Sequence, residues 1–363
     1  MTSSIFVDAS GKLPEREAPW EPIVISKEEI DAEIARLSAQ PLPANGRRRS
    51  FFRHPSNLKS NGLAPGIEVA LDILLPGEET STFRQNSTQV NFVIRGEGET
   101  EVGGERRHTA LHDVWNIPSM RIYRHRNTGH EPYVRLTYSN GALLEMMNIH
   151  VIEENPQPAL RAVESDHSHE ADSRRSSPYG TFQLNDEGAW MMPYERLINP
   201  PSVVSPALYW RWQEVKAHLD KLEALGADYI GRRLYLLYNP MTGRTNGTTP
   251  SFFATMTVRP PKIVDRPHRH SSAAVNYYFS GSGRSTVEGK VYPWKAGDLM
   301  LSAPGWSVHN HASFDEPVYE LTIQDQPLNI AMESLLWQES LKEPPALLGS
   351  EPGFETNRAI AAV

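Results

Sequence analysis

Val275-Asn276-Tyr277-Tyr278-Phe279-Ser280-Gly281-Ser282-Gly283 restates, 185 residues later, the stretch Val90-Asn91-Phe92-Val93-Ile94-Arg95-Gly96-Glu97-Gly98. Each is an apolar run ending in a Gly-x-Gly turn, the pattern of a strand entering a tight reversal. The same offset pairs Pro76 with Pro261, Val102 with Val287, Gly104 with Gly289 and Asp113 with Asp298. It also pairs Glu131-Pro132 with Glu316-Pro317 and Leu136-Thr137 with Leu321-Thr322, one residue being gained after Asp298 and returned before Glu316. Self-similarity over about seventy residues means two copies of one supersecondary unit.

Working outward, each copy is built of short apolar runs between Gly-rich turns. They are Glu68 to Leu75, Val90 to Arg95 and Tyr133 to Tyr138 in the first. The second has Ser251 to Val258, Ala274 to Phe279, Asp298 to Ser302 and Val318 to Gln324. This spacing predicts a mainly β fold with α+β decorations: two antiparallel β-barrels of jelly-roll type. Helical periodicity falls outside the copies. Ser26 and Glu29 have the spacing of a capping box, and an amphipathic run from Tyr209 to Leu225 stops at Gly226. The expected organisation is an N-terminal arm with a helix (1–60), a first barrel (61–150), a linker with interdomain helices (151–235), a second barrel (236–330) and a tail (331–363).

The bulk numbers exclude several classes. With 363 residues, 39% apolar and 22% charged, the chain is long enough for two globular domains. The 36 basic and 44 acidic residues form no basic stripe, so nucleic acid is not an expected partner. Without cysteine there are no disulfides, thiolate ligands or cysteine nucleophile. No leader and no long apolar span is visible, so the expectation is a cytoplasmic protein with no membrane partner.

The chemistry lies in the second copy. His268-Arg269-His270 places two imidazoles on one strand face, because side chains alternate with period 2. His309-Asn310-His311, after Pro304-Gly305, can bring a third imidazole from a distant strand. At these positions the first copy has Phe83, Gln85 and Tyr123, so only the second barrel is expected to hold metal. His309 is the expected third ligand and His311 an acid–base candidate beside it. Another His-x-His, His167 and His169, lies in a polar linker and reads as solvated.

Two barrels carrying His-x-His, Gly-x-Gly, Gly-Asp and Pro-Gly-x-x-x-His resemble a bicupin of the gentisate 1,2-dioxygenase group, which includes salicylate and hydroxynaphthoate ring-cleaving enzymes. The resemblance covers roughly residues 60 to 330. It rests on Pro267-His268-Arg269-His270-Ser271, Gly297-Asp298 and Pro304-Gly305-Trp306-Ser307-Val308-His309-Asn310-His311. It implies Fe(II) as cofactor, a small hydroxylated aromatic and O2 as substrates, and a homo-oligomer. A metal in the second barrel rather than the first departs from the group and is similar to the large subunit of hydroquinone dioxygenases, which have a second small subunit.

Many cupins place a carboxylate ligand six residues after the first His; here that residue is Ala274. Three neutral imidazoles leave open positions, suiting Fe(II) and O2 chemistry and not a closed zinc site. Strand parity puts Ala274, Asn276 and Tyr278 on the ligand side and Val275 and Tyr277 outside. The resemblance associates Asn276 with substrate steering, at a position where relatives commonly have an Arg for a carboxylate. A neutral amide there favours a para-diol such as hydroquinone over gentisate or salicylate. Tyr278, Trp294, Trp306 and Arg259 are the remaining substrate-binding candidates, and Arg121 or His125 could reach across from the first barrel. The rival readings are another three-His cupin oxygenase, acting on a thiol or a diketone, and a non-catalytic binding bicupin.

Overall fold

The computed structural model describes residues 5–13, 18–157, 178–194, 205–226, 229 and 232–348. Residues 167 and 169, with their polar His-x-His, lie outside them. Two large antiparallel sheets dominate. One runs Ile23–Ile25, Leu299–Pro304, Ala273–Ser280, Val318–Gln324, Phe253–Arg259, Leu234–Leu236. The other runs Tyr209–Trp210, Val114–Ile117, Gln89–Arg95, Tyr133–Ser139, Ile67–Leu74, Arg48–Phe51, with Gly62–Ala64 added beside Ile67–Leu74. Smaller sheets close each barrel.

Strand alternation sorts the side chains. Val69, Leu71, Val90, Phe92, Val134 and Leu136 leave the first barrel on its outer face; Met256, Val275, Tyr277, Leu299, Leu301 and Leu321 do so from the second. These outer faces pack against each other, Phe92 meeting the rings of Tyr277 and Phe279 at 5.8 and 5.5 Å. Val275 and Tyr277 therefore point out of their barrel, as parity requires, but into a buried layer instead of solvent. At this scale apolar burial, about 25 cal/mol per Å2, fixes the two barrels as one body.

The repeat proves longer than its identities reveal. Helix Lys27–Ser38 and helix Trp212–Glu223 are related by the 185-residue offset, as are the short helices Gly141–Met146 and Gln326–Ala331. The strands before the long helices are exchanged. Ile23–Ile25 pairs with Leu299–Leu301 of the second barrel, and Tyr209–Trp210 pairs with Val114–Trp115 of the first. Each following helix then returns to its own copy. Arm and linker helices thus belong inside the repeat, and the expected helix from Tyr209 to Leu225 begins three residues late because its start is taken by a strand.

The recurrent Asp explains where both helices begin. Asp298 accepts from Lys27 N at 2.7 Å and from Lys295 N at 2.8 Å. Asp113 accepts from Trp212 N at 2.8 Å and from Ala110 N at 3.1 Å. Each carboxylate closes a turn in one barrel and caps the positive end of the helix that arrives from the other copy. Ser26 and Glu29 complete a capping box at the first helix, as the sequence predicts. Gly96 and Gly281 hold the matching turns: both have positive φ, and a Cβ would sit 2.4–2.5 Å from the carbonyl oxygen of Pro132 or Pro317.

Asp298→Ala should cost about 1–2 kcal/mol, the size of a lost helix cap. The distinguishing result is protection from amide exchange: it should fall in helix Lys27–Ser38, whose residues belong to the other copy, and not only around Asp298. Unchanged protection of that helix would show that the cap does not couple the copies.

Candidate metal centre

His268 and His309 face each other across an isolated bridge between their strands, with backbone bonds of 2.9 and 3.1 Å. Their rings are 4.4 Å apart, and the His270 ring is 4.8 Å from that of His309. One nitrogen of each lies within 4.8 Å of the others, and all three side chains are buried.

The other nitrogen of each ring is committed. His268 Nδ1 meets Arg266 O at 3.0 Å, His270 Nδ1 meets Ser272 O at 2.8 Å, and His309 Nδ1 meets Ser307 O at 2.9 Å. A carbonyl only accepts, so each Nδ1 carries hydrogen and each Nε2 keeps its lone pair. Burial first, then the neighbouring imidazoles, lowers His268 to about 3 and takes His270 well below its usual range; burial also lowers His309. Three neutral, oriented, converging imidazoles are a donor set for a divalent metal. The residue expected as a carboxylate ligand in other cupins, Ala274, supplies nothing but a methyl group.

His311 differs. Its Nδ1 lies 2.8 Å from Ser285 Oγ, which also receives Trp294 Nε1 at 3.0 Å and faces Tyr278 Oη at 3.4 Å. Trp294 donates to Ser285 Oγ, and the serine ties His311 Nδ1 into one hydroxyl network with Tyr278. His311 stands outside the converging set, its ring 5.8 Å from that of His309.

Several expected substrate contacts have other partners. Tyr278 and Trp294 stack on each other at 3.7 Å inside the barrel, packing its core with Met300 and Val318. Trp306 lies beneath the Arg269 guanidinium at 4.5 Å and lines an outer groove with Trp20 and Tyr292. Arg259 is buried and paired with both Glu320 (3.1 Å) and Asp265 (3.0 Å), so its charge is already neutralised. Asn276 donates to Thr322 Oγ1 at 2.8 Å and accepts from Ser302 Oγ at 2.5 Å, a satisfied buried amide. Arg121 is exposed, and His125 is held inside its own barrel by Thr100 at 3.0 Å; neither reaches the histidines.

Two residues at the centre escaped the sequence reading. Trp337, placed there in a tail, pairs in a strand with His270 and stacks on its ring at 5.1 Å. The corresponding first-copy residue is Ile152, paired with Gln85; only that structural equivalence, with almost no sequence identity, marks the strand. Arg232 sits over Trp337 at 5.9 Å and is held by both Glu339 carboxylate oxygens at 3.1 Å. Its charge bears on all four histidines, disfavouring their protonation.

Fold and site together define a bicupin with its metal-type donor set in the second barrel. Residues 255–361 match the AraC-like ligand binding domain family. The chain is 24% identical to a 5-aminosalicylate 1,2-dioxygenase of a Comamonas species, over 79% of this chain and 73% of the relative. It is 26% identical to a 1-hydroxy-2-naphthoate 1,2-dioxygenase of a Nocardioides species, covering 89% and 78%. The salicylate 1,2-dioxygenase structure from Pseudaminobacter salicylatoxidans superposes with a TM-score of 0.71 at 18% identity, covering 92% and 93%. The chain is a bicupin resembling the gentisate 1,2-dioxygenase group, and an enzyme of the aromatic ring-cleaving dioxygenase kind.

Buried neutral histidines make stability depend on acid. Unfolded, they protonate near pH 6.5; folded, they do not until far lower, so stability is complete above 6.5 and falls as pH drops from 6.5 toward about 3 for His268. Each can cost up to about 1.4 kcal/mol per pH unit across that window. His125, also held well below its usual range by burial, should contribute separately. In metal-free protein, His125→Gln should lower proton uptake on unfolding at pH 5.5 by about one; an unchanged uptake would show that His125 protonates freely in the fold.

Proposed function

We propose that the chain cleaves the ring of a hydroxylated aromatic acid with O2 at an Fe(II) held by His268, His270 and His309. The observation that carries this is the trio of neutral imidazoles on one barrel face, each fixed through Nδ1 to a backbone carbonyl. Three nitrogen donors without a carboxylate leave positions free for substrate and O2, which suits iron and poorly suits a closed structural zinc site. Iron bound there supplies the redox and Lewis-acid chemistry that oxygen insertion needs.

The chain's own groups divide the remaining work. His311, backed by Ser285, can exchange a proton with a substrate oxygen through Nε2, a role worth roughly 10²–10⁴ in rate. Trp337 covers two of the histidines and excludes water from that side. Arg232, about half exposed at the rim and paired with both Glu339 oxygens, can serve a substrate carboxylate that takes the place of Glu339. It replaces the arginine that the neutral Asn276 does not provide, and it favours an acid such as gentisate or a salicylate over the neutral para-diol expected from Asn276 alone. The curated relatives' names, aminosalicylate and hydroxynaphthoate dioxygenase, support the same class.

His268→Ala and His309→Ala should lose iron and activity together, whereas His311→Ala should keep iron and lose turnover. Equal iron loss in all three would erase the division of roles. For the substrate, oxygen uptake by Fe(II)-reconstituted enzyme should favour gentisate or salicylate over hydroquinone. Arg232→Gln should raise KM for the acids by about 10- to 100-fold, the value of a charge-assisted contact, with little effect on hydroquinone. A wild-type preference for hydroquinone, untouched by Arg232→Gln, would return the reading to a para-diol.

A further inference from the structure

The first barrel, without histidine ligands, is not a plain apolar plug. Tyr123 Oη donates to Gln85 Oε1 at 2.8 Å beside Phe83, filling the position where the second barrel gathers its imidazoles. Deeper inside, Gln89, Asn91, Trp115 and Arg135 face one interior from three adjoining strands. Asn91 lies across from Trp115 on one side and Thr137 on the other. All four are at most 2% exposed.

Among the described residues Asn91 Nδ2, Trp115 Nε1 and Arg135 Nε meet no hydrogen-bond partner, while Gln89 lies against the Tyr123 hydroxyl. Each such group costs about 1–3 kcal/mol if left so, a cost that one ligand accepting from all three would recover.

The charge balance has one sign. Asp72 is spent on Arg49, bidentate at 2.7 Å, and on Thr137 Oγ1 at 2.7 Å. Glu68 is raised to about 7 by desolvation and is a weak counter-charge. Arg135 has no ion pair among the described residues; its Nη1 makes one long bond, 3.4 Å, to Asn91 Oδ1. Arg135 stands over the Tyr133 ring at 5.2 Å and opposite Asp72, whose charge Arg49 already answers, and a buried guanidinium beside unpartnered N–H donors is the chemistry of an anion site. The second barrel has Glu320 at the Arg135 position and Met300 at the Trp115 position, so this donor set belongs to the first barrel alone.

We propose that the first barrel is an internal site for one small monovalent anion, a halide or the carboxylate of a formate-sized acid, bound by Arg135, Asn91 and Trp115.

The test uses the full chain, crystallised and soaked in bromide, with anomalous scattering at the bromine edge. A bromide peak among these three side chains is the expected result. Its displacement by formate identifies a carboxylate-capable site and its persistence a halide site; either supports the proposal. In solution, bromide and formate should raise Tm above an equal ionic strength of gluconate, and Arg135→Gln should weaken that response at least about tenfold. Asn91→Asp, which keeps shape but repels anions, should remove it if Arg135→Gln fails to fold. An interior without anomalous signal, and a wild-type Tm indifferent to the anion, would overturn the proposal.

Discussion

The aliphatic layer between the two large sheets constrains everything else. Strand side chains alternate, so giving Val69, Leu71, Val90 and Val134 to that layer commits their neighbours Asp72, Asn91 and Arg135 to the barrel interior. The same holds in the second barrel, where Val275 and Leu321 face the layer and Asn276, Glu320 and Thr322 face inward. The main apolar core therefore lies between the barrels, and the interiors are free to be polar. An enzyme built this way can place charge and imidazole deep inside without spending the surface that stabilises it.

The two interiors show what divergence changed and what it kept. His268, His270 and His309 stand opposite Phe83, Gln85 and Tyr123, and the pairing His268 with His309 is repeated as Phe83 with Tyr123. The hydroxyl–histidine pair is retained in both: Ser285 with His311, Thr100 with His125. So is the Asn–Thr pair, Asn276 with Thr322 and Asn91 with Thr137. His311 thus occupies a position with a structural role in either barrel, and its proposed part in proton transfer is an addition made where a metal-type donor set lies alongside.

Exchange of the first strand of each copy joins the barrels through the backbone as well. With a carboxylate of one barrel capping the helix of the other, neither copy can complete its sheet or its helix start alone. The rim of the centre shares this dependence. Arg232 follows the crossing helix, while Trp337 lies in the strand Leu336–Gln338 after the second barrel and Glu339 just beyond it, so the site is finished only when both ends of the copy have folded back.

The sequence by itself determined the duplication, the barrel class and the barrel that could hold metal, because turns, alternation and imidazole spacing are local properties. It also set the capping box at Ser26 and the loss of ligands at Phe83, Gln85 and Tyr123. It did not determine the partners of polar side chains. Arg259 reads as a free cation until Glu320, 61 residues away, neutralises it; Tyr278 and Trp294 read as substrate-binding candidates, and their stacking on each other shows only in the fold. Trp337 and Arg232 were invisible because nothing near them in the chain resembles a site. Tertiary structure decided these, since charge neutralisation and ring packing depend on distances between strands that sequence spacing does not encode.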